Sequence, residues 1–207
     1  MKVKILVFLI FLFPLYSYAY SIDDLLKELD TPLWKEKTSD PVFIEKFKSQ
    51  ELFSTVVKLA EAKGYDWRYR IRAIKLLGEL GTPQAKEALL SMFQDPFFHH
   101  ECPSLKSYVA DALGNFKPEK RLLEILKDGL KDSEVLVREA VARSIGRLKM
   151  PEATEYLKEA FYSEKSIAVK IAILNALKSI GNLDALNFIK KVISEQQELN
   201  DVFGGSL

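Results

Sequence analysis

Hydrophobic residues recur at helical spacing along most of this chain, and one arrangement of them returns four times. The segments align without internal gaps, and their first residues lie 36, 32 and 32 positions apart. They are RYRIRAIKLLGELGTPQAKEALL from Arg68, SLKSYVADALGNFKPEKRLLEIL from Ser104, LVREAVARSIGRLKMPEATEYLK from Leu136 and AVKIAILNALKSIGNLDALNFIK from Ala168. Self-similarity at this period indicates stacked helical units.

Each aligned segment contains two apolar stripes separated by a short connector. In the first stripe, a large apolar residue and another apolar residue four positions before it lie on the same face of the helix. Its members are Leu77, Leu113, Ile145 and Leu177, preceded by Ala73, Val109, Val141 and Ile173. The second stripe consists of Leu89, Ile125, Leu157 and Ile189. Three connectors carry a proline suited to a helix start, so each unit is predicted to be a helix, a turn and an antiparallel helix.

A glycine follows the first stripe in three of the units, at Gly78, Gly114 and Gly146, whereas the fourth unit has Lys178 there. Glycine tolerates a tight or left-handed backbone. We therefore expect these glycines to lie where the first helix of each pair ends.

The pattern resembles the HEAT-like repeats, in the short form also found in phycobilisome-lyase-type proteins. The resemblance is carried by YRIRAIKLLGELG, LKSYVADALGNF, VREAVARSIGRL and VKIAILNALKSIG. One helix pair cannot bury its apolar face alone, so the resemblance implies an all-α fold, a right-handed α-solenoid of stacked antiparallel helix pairs. Four repeats are expected over residues 65–197.

Residues 20–64 fit the repeat poorly and are predicted to form an N-terminal helical cap or a degenerate repeat, which would cover the end of the core. One helix is expected after Ser21, a second near Pro41 and a third that ends at Gly64. The tail, residues 198–207, is expected to fray.

The first nineteen residues have the layout of a secretory signal peptide. Lys2 and Lys4 precede an apolar run over residues 5–13, and small residues at Ser17 and Ala19 suit cleavage after Ala19. The run is shorter than the roughly 20 residues that span a bilayer. Two alternatives stay open, an uncleaved membrane anchor and a cytoplasmic chain.

The charge balance argues against a nucleic-acid partner. The chain has 30 basic and 29 acidic residues, and removal of residues 1–19 would take away two lysines, which changes the net charge from +1 to −1. We expect an exported protein, periplasmic or secreted, with no stable membrane span after cleavage. Its single cysteine cannot form an internal disulfide.

The second helices of such arrays usually line the concave face, so a protein or peptide partner is predicted there. The candidate binding residues are Glu87, Lys120, Leu123, Lys127, Glu152, Glu155, Glu159 and Lys191. Their mixed charge lacks the positive stripe of a nucleic-acid binder; the alternative is a solvated face without a partner. Trp67, Phe97 and Phe98 lie between helices and would add a contact patch if exposed.

A basic residue recurs early in each first helix, at Arg70, Lys106, Arg138 and Lys170. It could form a binding ladder for acidic groups. Acidic residues near each position instead favour a structural role in pairing between helices and repeats.

No catalytic motif is recognisable, and we expect neither a cofactor nor enzymatic activity. HEAT-like deoxyhypusine hydroxylases bind iron through several His-Glu pairs, whereas this chain has only His100-Glu101. Chromophore lyases share the repeat, but an exported location argues against that role. The sequence therefore predicts an exported scaffold that binds a protein or peptide.

The stretch FFHHECPS, residues 97–104, contains both histidines and the only cysteine. Its simplest interpretation is an inserted loop between the first two repeats, with Pro103 restarting the pattern. A second interpretation is a reactive Cys102 thiol at a helix start, able to link a homodimer. A third is a weak metal site with His99, His100 and Cys102, although a closed zinc site needs four ligands.

Overall fold

The computed structural model describes residues 20–96, 98 and 103–195 of the chain. Within these residues all regular structure is helical, and no helix is long and apolar enough to cross a bilayer. The helices are α1 (Ile22–Leu29), α2 (Trp34–Thr38), α3 (Pro41–Lys46), α4 (Gln50–Glu61), α5 (Trp67–Leu80), α6 (Pro83–Gln94), α7 (Pro103–Leu113), α8 (Lys120–Gly129), α9 (Val135–Leu148), α10 (Ala153–Ser163), α11 (Ile167–Ile180) and α12 (Leu183–Glu195). The prediction of an all-α solenoid is confirmed.

Helices α5 to α12 form four pairs, and each pair contributes one helix to each of two layers. The first helices (α5, α7, α9 and α11) pack side by side in chain order. Each second helix packs against first helices, and contact between successive second helices is much less extensive. The apolar stripes of both layers are buried between them, including Leu77, Ile145 and Leu157 at 0% exposure.

Small residues let the first helices approach each other closely. A Cβ atom added to Gly78 would lie 3.0 Å from the Cβ of Ala112, and one added to Gly146 would lie 2.7 Å from the Cα of Ala176. A side chain at Gly78 would require its neighbour to shift by a few tenths of an ångström, and one at Gly146 would require the facing backbone to move. Because the first helices are the more closely spaced layer, the stack bends towards them.

The predicted position at the helix end is therefore wrong for Gly78 and Gly146. It is confirmed for Gly114, which directly follows α7, although its backbone is not left-handed. Gly78 and Gly146 lie inside α5 and α9, where they serve close packing. The left-handed backbone occurs three residues later, at Gly81 and Gly181 and also at Lys149, each of which ends a first helix. Gly or Asn commonly fills that position because the conformation is costly for other residues.

Helices α1 to α4 cover the open end of the first repeat. Leu25, Leu29, Phe47 and Leu59 are fully or almost fully buried there. Ser21 begins α1 with a capping box, and Asp40 caps α3 by accepting from the amide of Val42. The sequence did not predict α2, which has five residues and no side-chain cap.

Two of the recurrent basic residues, Lys106 and Arg138, form the pairs between repeats that the sequence favoured. Lys106 Nζ lies 2.7 Å from Asp132 Oδ2, and Arg138 binds both carboxylate oxygens of Glu164 at 2.6 and 3.0 Å. Each acid belongs to the loop that leads into the next first helix. These two ion pairs therefore join successive repeats.

Candidate partner-binding groove

A groove of about 480 Å³ runs across the layer of first helices. We call it the first-helix groove. Helix α2 closes one end of it. The lining residues are Trp34, Lys35, Thr38, Ser39, Lys75, Glu79, Tyr108, Asp111, Ala112, Asn115, Arg143 and Arg147.

The end of the groove next to α2 is built from two aromatic rings around a lysine. Lys75 Nζ lies 5.0 Å from the ring centroids of both Trp34 and Tyr108. Burial, followed by the charge of Lys35, lowers the pKa of Lys75, whereas Asp111 opposes that shift. No carboxylate of the described residues lies within ion-pair distance of Lys75, so its ammonium group is available to an incoming anion.

The other end of the groove carries two arginines that share Asp111 as a partner, and Arg143 also pairs with Glu139. Arg143 Nη2 lies 3.0 Å from Asp111 Oδ2, and Arg147 Nη2 donates to the Asp111 carbonyl oxygen at 2.6 Å. Arg147 also donates to the buried hydroxyl of Ser144 at 2.8 Å, which orders its guanidinium group. Both guanidinium groups remain partly exposed, at 41% and 43% of the side chain.

The groups that line the groove are suited to non-covalent binding. It has four basic side chains against two acidic ones, with two aromatic faces between them. Guanidinium groups bind carboxylates, and aromatic faces accept apolar or cationic groups. Among the described residues no cluster of His, Cys, Asp and Glu could hold a metal ion.

The residues predicted to bind a partner lie on the opposite layer. Glu87, Lys120, Glu152, Glu155, Glu159 and Lys191 are exposed there, and Lys127 is half-buried. Leu123 is 1% exposed and packs in the core, so its prediction as a contact residue is wrong. Glu87 is bound through both carboxylate oxygens by Arg121, and Lys127 lies 4.0 Å from the ring centroid of Tyr156. The set as a whole stays a prediction.

The three residues of the predicted aromatic patch have different outcomes. Trp67 is 56% exposed at the start of α5. Phe98 is only 8% exposed, and the guanidinium carbon of Arg70 lies 5.6 Å from the centroid of the Phe98 ring. The predicted role of Phe98 in an exposed patch is therefore wrong. Phe97, His99, His100 and Cys102 lie outside the described residues. The reactive-thiol, homodimer and metal-site hypotheses therefore stay predictions.

Sequence reasoning missed the first-helix groove because it placed the binding surface on the second helices. The available signal was the small residues on the first helices, which form two contacting pairs, Gly78 with Ala112 and Gly146 with Ala176. Small residues that face each other on neighbouring helices indicate close approach, and the more closely spaced layer of a stack lies inside its curve.

The fold defines a helical-repeat protein. Two family profiles match the chain, HEAT repeats over residues 96–178 and the PBS lyase HEAT-like repeat over residues 69–95. The chain thus contains HEAT-like repeats, and the predicted resemblance is confirmed at this level.

Individual proteins similar to the chain are remote. Phycocyanobilin lyase subunit beta of Thermosynechococcus vestitus is 29% identical over 117 residues, 51% of this chain and 53% of that protein. The chain thus spans about half the length of this curated relative. A designed armadillo repeat protein in complex with a (KR)4 peptide has a TM-score of 0.55 at 16% identity, over 87% of this chain and 95% of that one. A phycocyanin lyase complex from a Nostoc species has a TM-score of 0.48 at 22% identity, over 70% and 97%.

The prediction that the chain is not an enzyme is contradicted by the first of these matches. The relative is a subunit of a lyase, and a lyase is an enzyme. The prediction rested on missing catalytic motifs. That reasoning fails for a repeat protein, because such a scaffold can serve catalysis without any of the motifs that were sought.

Proposed function

We propose that this protein is an exported HEAT-like repeat protein that binds a partner protein or peptide in the first-helix groove. The observation that carries the proposal is the lysine between two aromatic rings at one end and the arginine pair at the other. Such a site suits an extended segment with a carboxylate near an apolar side chain. Export is supported by the signal-peptide layout of residues 1–19.

The groove brings cationic and aromatic groups together in one place. Lys75 has no ion-pair partner among the described residues and lies 5.0 Å from two ring centroids. The side chains of Arg143 and Arg147 are 41% and 43% exposed, although both also contact Asp111. We favour the groove because these groups converge on one site, whereas Glu87 and Glu155 on the second-helix face are bound by Arg121 and Lys158.

A photo-crosslinking residue placed at Tyr108 tests this proposal. Tyr108 lies in the first-helix groove, and Tyr156 on α10 offers a matched half-buried tyrosine on the second-helix face. Each variant is expressed in cells of the source organism and irradiated. We expect a discrete adduct from position 108 that is lost when Arg143→Glu is added, and none from position 156.

The pattern of adducts decides between the two faces. An adduct from position 156 alone would contradict the groove and favour the residues predicted on the second helices. An Arg143→Glu change that leaves the adduct at position 108 untouched would show that the groove charge takes no part in binding.

We propose as a second candidate an activity related to that of phycocyanobilin lyase, favoured by the match over 117 residues. The chain has two tryptophans, Trp34 in the groove and Trp67 outside it. Trp67→Phe and Trp34→Phe variants each keep one of them. On addition of phycocyanobilin we expect the fluorescence of Trp34 to be quenched and that of Trp67 to change little. Equal quenching of both, or none, would count against a bilin in the groove.

A further inference from the structure

Tyr20, the residue directly after the predicted cleavage position, is held by contacts to three helices. Its backbone nitrogen donates to Glu51 Oε1 at 2.7 Å, and its hydroxyl donates to Glu28 Oε1 at 2.8 Å. The Thr55 hydroxyl donates to its carbonyl oxygen at 3.2 Å. Its ring meets Phe47 edge-on with the centroids 6.4 Å apart.

These contacts fix the position of Tyr20 on the body of the protein. Phe47 is fully buried and Thr55 is 5% exposed, so both belong to the packed interior. Burial, followed by the hydrogen bond to Glu28, raises the pKa of the Tyr20 hydroxyl. The hydroxyl therefore stays protonated and continues to donate, which holds the Tyr20 nitrogen against the Glu51 carboxylate.

We propose that Glu51 is the counter-ion for the α-ammonium group of a mature chain that begins at Tyr20. This inference rests on the proposed export. A signal peptidase would hydrolyse the Ala19–Tyr20 amide with one water molecule. The bond between the Ala19 carbonyl carbon and the Tyr20 nitrogen breaks, the carbonyl carbon takes the water oxygen and becomes a carboxylate, and the Tyr20 nitrogen takes up both water protons to become an ammonium group.

Cleavage changes what Glu51 faces. Before cleavage the Tyr20 nitrogen is a neutral amide with a single hydrogen to donate to the carboxylate. After cleavage the same nitrogen has three hydrogens and a positive charge, and charge-assisted hydrogen bonds are the stronger kind. Cleavage one residue later would remove the Tyr20 ring and hydroxyl, and cleavage one residue earlier would leave a neutral amide at Glu51. The site therefore fits one position of the new terminus.

The first experiment determines where the mature chain begins. The full chain is expressed in the source organism, purified from the exported fraction, and characterised by intact mass and N-terminal sequencing. We expect Tyr20 at the terminus. An exported chain that begins elsewhere overturns this inference while leaving export intact, and a chain found uncleaved inside the cell overturns both.

The second experiment measures the ion pair itself on residues 20–207 with a free terminal amino group. The wild type is compared with Glu51→Gln and with Glu36→Gln, a change at an exposed acid on α2. Proton titration by NMR is expected to give a higher α-amino pKa in the wild type and Glu36→Gln than in Glu51→Gln, because a carboxylate favours the charged form. An α-amino pKa that is the same in all three proteins overturns the inference.

The pH dependence of thermal stability separates the ion pair from a plain hydrogen bond. A raised folded-state pKa adds stability below the unfolded value, about 8 for an α-amino group, and that stability is lost as pH rises through the folded value. Near pH 6.5 we expect Glu51→Gln to lower the Tm by about 1–3 °C, the range for an exposed pair. The difference should disappear near pH 10; an equal difference at both pH values contradicts the ion pair.

Discussion

Replacement of Glu164 by glutamine is expected to lower the free energy of unfolding by about 3 kcal/mol near neutral pH. The side chain of Glu164 is 5% exposed and that of Arg138 is 16% exposed. The Glu164 carboxylate accepts two hydrogen bonds from Arg138 and two from the amides of Lys165 and Ser166. Glutamine keeps the shape but leaves the buried guanidinium group without its counter-charge, a change that is strongly destabilising.

The pKa of Glu164 sets both the size and the pH range of this effect. The hydrogen bonds from Arg138 lower that pKa from 4.5 to about 2. The difference corresponds to about 3 kcal/mol of native-state stabilisation. An acid whose pKa is lowered in the folded state stabilises the fold at pH values above its unfolded pKa. This contribution is lost as pH falls from about 4.5 through about 2. The wild type should therefore lose its advantage over Glu164→Gln within that range.

Urea unfolding followed by circular dichroism at several pH values measures the effect. Glu155→Gln is the matched control, because Glu155 forms an exposed ion pair with Lys158 within α10. We expect it to change stability little, since exposed pairs contribute little. Similar effects of the two substitutions, or a loss at Glu164 that does not diminish towards pH 2, would contradict a buried pair that joins successive repeats.

The fold could be predicted from the sequence because the same apolar pattern occurs in four aligned segments. Leu77, Leu113, Ile145 and Leu177 repeat one packing position, and errors at one unit are corrected by the other three. The structural role of Lys106 and Arg138 could be predicted for the same reason, since nearby acids accompany them. Features that recur in every repeat of a solenoid can therefore be predicted from the sequence alone.

The groove could not be predicted in the same way, because it depends on how the layers curve. Curvature follows from small differences in spacing, set here by Gly78 and Gly146 against Ala112 and Ala176. The glycines themselves are visible in the sequence, but their spacing within the repeat suggests a role in backbone conformation and does not reveal the close packing. The position of Trp34 in the groove could not be predicted for another reason. Trp34 lies on α2, which has only five residues and shows neither a side-chain cap nor a periodic hydrophobic pattern in the sequence.

Replacement of Gly146 by alanine tests whether close packing explains these glycines. The new Cβ would lie 2.7 Å from the Cα and 2.9 Å from the Cβ of Ala176. Backbone atoms cannot rotate away, so α9 and α11 must separate. Alanine is intrinsically the better helix former by about 1 kcal/mol. Overpacking costs about 1–3 kcal/mol. A contact this close to backbone atoms should cost about 3 kcal/mol, the upper end of that range, which leaves a net loss of about 2 kcal/mol in unfolding free energy.

Gly81→Ala provides the control, because Gly81 has a φ of +62° and a Cβ there would meet nothing within 4 Å. Its expected cost is about 1 kcal/mol, which comes from the left-handed backbone alone. If conformation were the main reason for both glycines, Gly81→Ala would be the more damaging change and Gly146→Ala would stabilise its helix. If close packing is the reason, the order is reversed, and Gly146→Ala should also weaken the Tyr108 adduct, because separation of α9 from α11 changes the bend that shapes the groove.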